Sequence, residues 1–310
     1  MTTRRESVVI VGSGPGGLSA ALWLHKFKVS FVLLDRRDKL GGTLSEINLP
    51  IIDYLGLRAA NGHDLRERLE AEFVAKGLTA ELGTDVHAVE PAAKRIVTHK
   101  ETIQAQAIVI ATGLSRRRLS VPGEAEYVGR GVSYSGTTDM ASIAGRSVAI
   151  IGGSDGALEN ALYLAPYCPQ VTVIHRSAEF RARPEFLAQA RAQSNLRLLA
   201  DTYVVRIQGD GQHVTSLLLR TGLEDVPFMV DWVVIKVGFE PNTTMLAPGA
   251  LALNDDGTIA VDRYMHTSVP GVFAAGDVTN ARSPSIAAAV GDGAVAAREV
   301  FDHLRNLSNS

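Results

Sequence analysis

The sequence predicts an α/β protein built around two similar βαβ units, and three observations predict it. Two apolar strands run directly into glycine turns, at residues 8–17 and 148–157. Each turn opens a helix of small and apolar residues, followed by a second strand. The spacing also repeats: twenty-three positions separate Gly12 from Asp35, and twenty-three separate Gly152 from His175.

The first unit reads SVVIVGSGPGGLSAALWL. Val8 to Val11 are four β-branched residues, the pattern of a buried strand. Gly12, Gly14 and Gly17 then fit G-x-G-x-x-G, and the apolar helix runs on from Leu18. Glycines there permit a tight turn, close approach of a pyrophosphate, and close helix–strand packing, while the helix N-terminus attracts the anion. The next strand, VSFVLLD, ends in Asp35, an acid placed to accept hydrogen bonds from a ribose diol. The context turns a weak motif into a dinucleotide-binding, Rossmann-like unit.

The second unit reads SVAIIGGSDGALENALYLA and continues to the strand VTVIHRS. Gly152 opens it and Ala157 takes the third glycine position, with Asp155 in the first helical turn. His175 and Arg176 replace the strand-end acid, and Arg181 stands five residues on. An acid would repel a 2′-phosphate, whereas this basic set attracts one, so NADPH is expected over NADH. A solvated basic loop is the alternative. Ser154 occupies the middle glycine position. Its side chain either crowds a pyrophosphate or donates a hydrogen bond to it.

Composition excludes several classes. The chain has 310 residues, 46% hydrophobic and 21% charged, the balance of a globular protein of two ordinary domains. A net charge of −2 gives no footprint for nucleic acid or an anionic membrane. The basic start MTTRRESVVIVG breaks at Gly12 without a cleavage signal, and no apolar run approaches the roughly 20 residues that span a bilayer, so a cytoplasmic location is expected. Cys168 is the single cysteine. It excludes an internal disulfide or a Cys-rich metal site, no metal is expected, and packing is its expected role.

Further landmarks follow in order: LGG at 40–42, the strand-turn IVIATG ending at Gly113, the strand WVVIKVG leading to GFEPN, and GVFAAGD before a small-residue helix. Taken together with the two fingerprints, these motifs resemble the low-molecular-weight thioredoxin reductase family over essentially the whole chain. The resemblance implies two Rossmann-like dinucleotide-binding domains with the second inserted into the first. It places an FAD domain at residues 1–115 and 242–310 and an NAD(P)-binding-like domain at 116–241. It also implies a homodimer. By the same resemblance Gly12, Gly14, Pro15, Gly16 and Gly17 would cradle the FAD pyrophosphate, with Asp35 and Arg36 at the adenosine ribose. Gly42, Thr43, Ala111, Thr112 and Gly113 would lie beside the cofactor, Gly276 and Asp277 at its ribityl or pyrophosphate portion, and Ser285 and Ile286 against the flavin ring. Family members usually carry Arg-Gln where this chain has Pro284-Ser285.

One stretch departs from the family pattern. Residues 131–140 read GVSYSGTTDM, where relatives read roughly GVSYCATCDG and use the two cysteines to carry electrons. Hydroxyls stand at both sulfur positions and cannot form a reducible bridge. The resemblance makes Asp139 a proton donor; the residues alone suggest an Asx cap on a turn. Arg116, Arg117 and Arg118 are expected as a solvated linker. Three functions compete. The first is an FAD- and NADPH-dependent oxidoreductase that passes electrons to a ferredoxin, flavodoxin, quinone or small oxidant in place of an internal disulfide. The second is a flavoprotein that does not use pyridine nucleotide and is reduced by a protein partner or a second flavin. The third is a non-catalytic FAD-binding sensor.

Overall fold

The computed structural model describes residues 3–282 and 284–309. The chain divides into two compact units, Met1–Ser115 with Phe239–Ser310, and Arg116–Gly238. In chain order the first unit begins with β1 (Thr3–Val11), α1 (Pro15–Lys26), β2 (Phe31–Leu34), α2 (Gly62–Ala75), β3 (Val86–Glu90), β4 (Arg95–Thr98) and β5 (Thr102–Ile110). After β6 (Leu114–Arg116) come β7 (Val132–Ser133), α3 (Met140–Ile143), β8 (Ser147–Ile151), α4 (Asp155–Leu164), β9 (Gln170–Ile174) and α5 (Pro184–Ala192). The second unit continues with β10 (Leu196–Leu199), β11 (Thr202–Gly209), β12 (Val214–Thr221), β13 (Glu224–Met229) and β14 (Trp232–Ile235). The first unit resumes with β15 (Phe239–Pro241), β16 (Val272–Ala274) and α6 (Ile286–Ser308). The return falls at Phe239, ahead of residue 242, because Asn242 already donates its N–H to the Gly113 carbonyl and belongs to the first unit's turn.

In the first unit the sheet order is β2-β1-β5-β4-β3, with β16 also on β5. On the edge away from β1, nine-residue β5 serves two neighbours: Thr102–Gln104 pair antiparallel with β4, and Ile108–Ile110 pair parallel with β16. Alternation along β1 builds two cores. Val8 and Ile10 pack with Leu18, Leu24 and Val300 of the helices, while Val9 and Val11 pack with Ile96, Ile103 and Ile259 on the opposite face. Helices α1 and α6 approach closely, since a Cβ on Gly293 would overlap the Gly16 carbonyl and Ser19 Oγ donates to Val290 O at 2.6 Å.

The second unit repeats the plan with an all-parallel sheet, β10-β9-β8-β14-β7. Ile150, Leu158, Leu164 and Val173 form its helix-side core. Ala149, Ile151, Ile207 and Leu217 pack the antiparallel β11-β12-β13 layer on the other face. Both units are therefore Rossmann-like α/β sheets. Among the described residues no helix is long and apolar enough to cross a membrane.

Candidate functional site

The first glycine turn opens on a cavity of about 340 Å³. Gly12 lies at φ +105°, where a side chain would strike the Ala111 carbonyl, and a Cβ on Gly17 would overlap the Gly12 carbonyl oxygen. Gly14 differs: nothing lies within 4 Å of the place its Cβ would take. It precedes α1 without a side-chain cap, so the N–H groups of the helix's first turn face the cavity unscreened. Pro15 and Gly16 complete that wall.

Opposite them stands Asp35, 8% exposed at the end of β2. Its Oδ2 accepts from Ser13 N at 2.7 Å and Ser13 Oγ at 2.6 Å, and its Oδ1 accepts from Arg37 N at 2.8 Å. Charge-assisted hydrogen bonds of this kind contribute about 1.5–3 kcal/mol each. Arg36 lines the cavity, and Arg37 ties Gly42 O to the strand end at 2.6 Å. Gly42 and Thr43 line the same wall. At the far side, Thr112 Oγ1 donates to Asn242 O at 2.7 Å and Asn242 Nδ2 returns a bond to Thr112 O at 2.8 Å. Ala111, Thr112 and Gly113 are held as one rim with Asn242.

Several lining residues had no signal in the motifs, among them Arg37, Thr84 and His87. Thr84 is 3% exposed, and its Oγ1 has no hydrogen-bond partner. A buried hydroxyl left unpartnered in a cavity wall is a place for a ligand's polar group. GFEPN held the clue to Asn242, since a side chain carrying both donor and acceptor suits a crossing of two chain segments.

Gly276 and Asp277 line the cavity from the other side. Burial pushes the Asp277 carboxyl above the usual carboxylate range, opposed by a hydrogen bond from Ser285 N and reinforced by Asp292. Asp292 is itself raised by burial and accepts from Gly276 N at 3.2 Å. Ser285 and Ile286, expected against the flavin ring, are not among the residues lining the cavity. Ser285 caps α6 by accepting from Ala288 N at 3.4 Å, and Ile286 packs against the Leu44, Ile51, Ala59 and Leu65 cluster.

In the second unit Gly152 (φ +149°) abuts the Lys236 carbonyl, and the Ala157 methyl is fully buried under the turn. Ser154 is exposed and its hydroxyl makes no cap bond to α4. Asp155 is engaged, accepting from Arg183 N at 2.7 Å and Arg183 Nε at 2.9 Å. His175 corrects the expected basic set. It is 4% exposed, its ring stacks on Phe180 at 5.2 Å, and a Cβ on Gly153 would come within 2.5 Å of its ring carbons. Burial, then Arg181, holds its pKa below the ordinary value of 6.5, so the ring is a neutral packing group. The exposed cations at this strand end are Arg176 and Arg181, and among the described residues neither forms an ion pair. Arg181 N also fastens the glycine turn, donating to Gly153 O at 2.7 Å.

The hydroxyl-rich segment folds around its own side chains. Ser135 Oγ lies 3.1 Å from Thr137 Oγ1, and Thr138 N donates to Ser135 Oγ at 3.4 Å. Asn160 of α4 anchors it by accepting from Gly136 N at 2.9 Å. Asp139 caps α3 through its backbone carbonyl, which accepts from Ser142 N and Ile143 N, but its carboxylate makes no cap bond. The expected Asx cap does not form, and nearby Trp232 Nε1 donates to Ser133 Oγ at 3.1 Å. Burial pushes the Asp139 carboxyl up, against the pull of Ser133 and of Arg116. Arg116 is likewise no solvated linker residue, because its guanidinium donates to Tyr134 O; Arg117 and Arg118 are exposed. Tyr134 OH donates to Glu124 at 2.7 Å, and burial with that carboxylate pushes the phenol up to about 12. Cys168 is buried beside Ile143 O, and burial raises its thiol. Among the described residues no cluster of metal-ligating side chains is present.

The family described as Pyridine nucleotide-disulphide oxidoreductase matches residues 6–293. A thioredoxin reductase from Listeria monocytogenes is 32% identical over 98% of this chain and 95% of its own length. The crystal structure of Lactococcus lactis thioredoxin reductase superposes with a TM-score of 0.83 at 31% identity, covering 97% of this chain and 99% of that one. The crystal structure of T. acidophilum thioredoxin reductase superposes with a TM-score of 0.81 at 31% identity, covering 97% of this chain and 99% of that one. With two glycine turns on two Rossmann-like sheets and a match spanning nearly its full length, the chain belongs to the pyridine nucleotide-disulphide oxidoreductase family.

Proposed function

We propose that this chain is an FAD-dependent oxidoreductase that moves electrons from NADPH to an acceptor other than a disulfide of its own. The observation that carries the reading is the pairing of a dinucleotide cradle with a hydroxyl-lined segment where relatives keep their cysteines. The cradle fits FAD: Gly14 leaves room for a pyrophosphate, the first turn of α1 faces it, and Asp35 stands where a ribose is held. Thr84 Oγ1 supplies a further unpartnered polar atom in the wall. Bound there, FAD would supply the two-electron chemistry that links nicotinamide to the acceptor.

The chain's own residues divide the remaining work. Arg176 and Arg181 offer charge for the 2′-phosphate that distinguishes NADPH from NADH. The buried glycine turns fix the two cofactor frames. Asp139 is the carboxyl of the 131–140 segment, and burial raises its pKa, which favours a role as proton donor. Cys168, alone and buried, supports an acceptor outside this chain's own thiols.

Anaerobic titration of the FAD-loaded protein with NADPH tests the reading. Flavin absorbance is expected to bleach within seconds and to return when a quinone or ferredoxin is added. No bleaching over minutes overturns the NADPH assignment in favour of a flavoprotein reduced by a protein partner, the reading that Ser154 favours. Reduction of a protein disulfide as fast as the flavin bleaches overturns the acceptor assignment.

A further inference from the structure

Lys236 follows β14 directly, and nothing in either fingerprint points to it. The second sheet runs β10-β9-β8-β14-β7, so the chain leaves β8 in one direction through α4 to β9, while β14 lies on its other side. The crevice between the carboxyl ends of β8 and β14 is the topological switch point, where open α/β sheets take their ligands. Lys236 stands at that crevice. Its N–H donates to Ile151 O at 2.7 Å, and its carbonyl backs Gly152. Its side chain reaches over the first turn of α4, with Cε 3.8 Å from the place a Cβ on Gly156 would occupy. Among the described residues its ammonium makes no hydrogen bond or ion pair.

We propose that Lys236 is the anion-binding residue of the second dinucleotide site, gripping the pyrophosphate of a pyridine nucleotide beside the α4 N-terminus. The proposal rests on the nucleotide reading given above. It resolves the question posed by Ser154: the charge that draws a pyrophosphate to this turn comes from across the crevice, and the middle position of the turn is left to an exposed serine.

Two charged groups face the ammonium from the elements around it. Arg116 of β6 repels it and Glu159 of α4 attracts it. Burial outweighs both and brings Lys236 down to about 8. The grip is therefore present below pH 8 and is lost as the pH rises through that value, and bound pyrophosphate in turn favours the protonated amine.

The experiment measures binding of NADP⁺, and separately of inorganic pyrophosphate, to the FAD-loaded protein by calorimetry at pH 7 and pH 9.5. Parent protein is expected to lose about tenfold in affinity for both probes between the two values, by the strength of a charge-assisted contact. Lys236→Met is expected to bind both weakly at both values, while Lys236→Arg binds at the parent's pH 7 level and loses the pH dependence. Flavin content and melting temperature establish that the variants fold. Parent-like binding by Lys236→Met at pH 7, or a flat profile in the parent, overturns the role of Lys236. If the parent binds pyrophosphate with this profile but not NADP⁺, the lysine site stands and the nucleotide reading falls. If it binds neither probe, both fall.

Discussion

At the first glycine turn, the open side of Gly14 and the uncapped start of α1 face an acid, Asp35, held by Ser13 and the Arg37 N–H. At the second turn, a serine stands in the middle position, the strand-end residue is a neutral imidazole buried against Gly153, and the nearby cations are Arg176, Arg181 and Lys236. One backbone pattern thus carries two opposite electrostatic surfaces. The contrast teaches that the glycines set how closely a dinucleotide approaches, while residues at the strand ends set which dinucleotide it is.

The largest effect that can break this comparison is at Gly17. A valine there collides with the Gly12 carbonyl, a backbone atom unable to yield, and purified Gly17→Val protein is expected to hold less than about a tenth of the parent's flavin. Full flavin occupancy, read from absorbance per mole of protein, would remove the first turn as the cradle. The paired change Arg176→Ala/Arg181→Ala comes next. KM for NADPH is expected to rise about 10- to 100-fold with kcat and the NADH reaction unchanged. A fall in kcat with NADPH alone unchanged would assign the arginines elsewhere.

Smaller effects sharpen the second turn. Gly153→Ala is expected to cost about 2 kcal/mol in urea unfolding, because its methyl meets the His175 ring. Adding His175→Ala should recover part of that loss, and strict additivity would show that the two do not touch. Ser13→Ala removes one hydroxyl donor from Asp35 and is expected to cost about 1.5 kcal/mol, with flavin retained. The smallest effect concerns pH. The folded pKa of His175 lies below 6.5, so the unfolded chain takes up the proton first and stability falls as the pH drops below 6.5. His175→Asn should give a shallower acid-side slope of stability, and an unchanged slope would assign the loss to other groups.

Much of this frame was legible in the sequence because it rests on local rules. Gly12 and Gly152 need positive φ, and the β-branched runs before them can only be buried strands. Asp35 was legible for the same reason, being one residue past a strand of fixed register. What escaped depends on contacts between distant segments. Nothing near Thr84 says that its hydroxyl closes a cavity, and GFEPN marks Asn242 without naming Thr112 as the residue it braces. The Asx cap expected of Asp139 is a local rule, while the burial that governs its carboxyl and the influence of Ser133, itself held by Trp232 of a distant strand, come from tertiary packing. The charge of His175 depended on burial beneath Gly153, which spacing alone does not reveal.

The pairing of β5 with β16, and of α1 with α6, carries a consequence for synthesis. The wall behind the first glycine turn is finished by β16 and α6, which leave the ribosome after the inserted segment. Residues 116–238 emerge earlier as one uninterrupted segment with a complete sheet. During translation the inserted unit can fold while β5 still waits for β16 and α1 for α6. Nascent chains halted near residue 270 should therefore protect the middle of the protein from protease and leave its beginning open to cleavage.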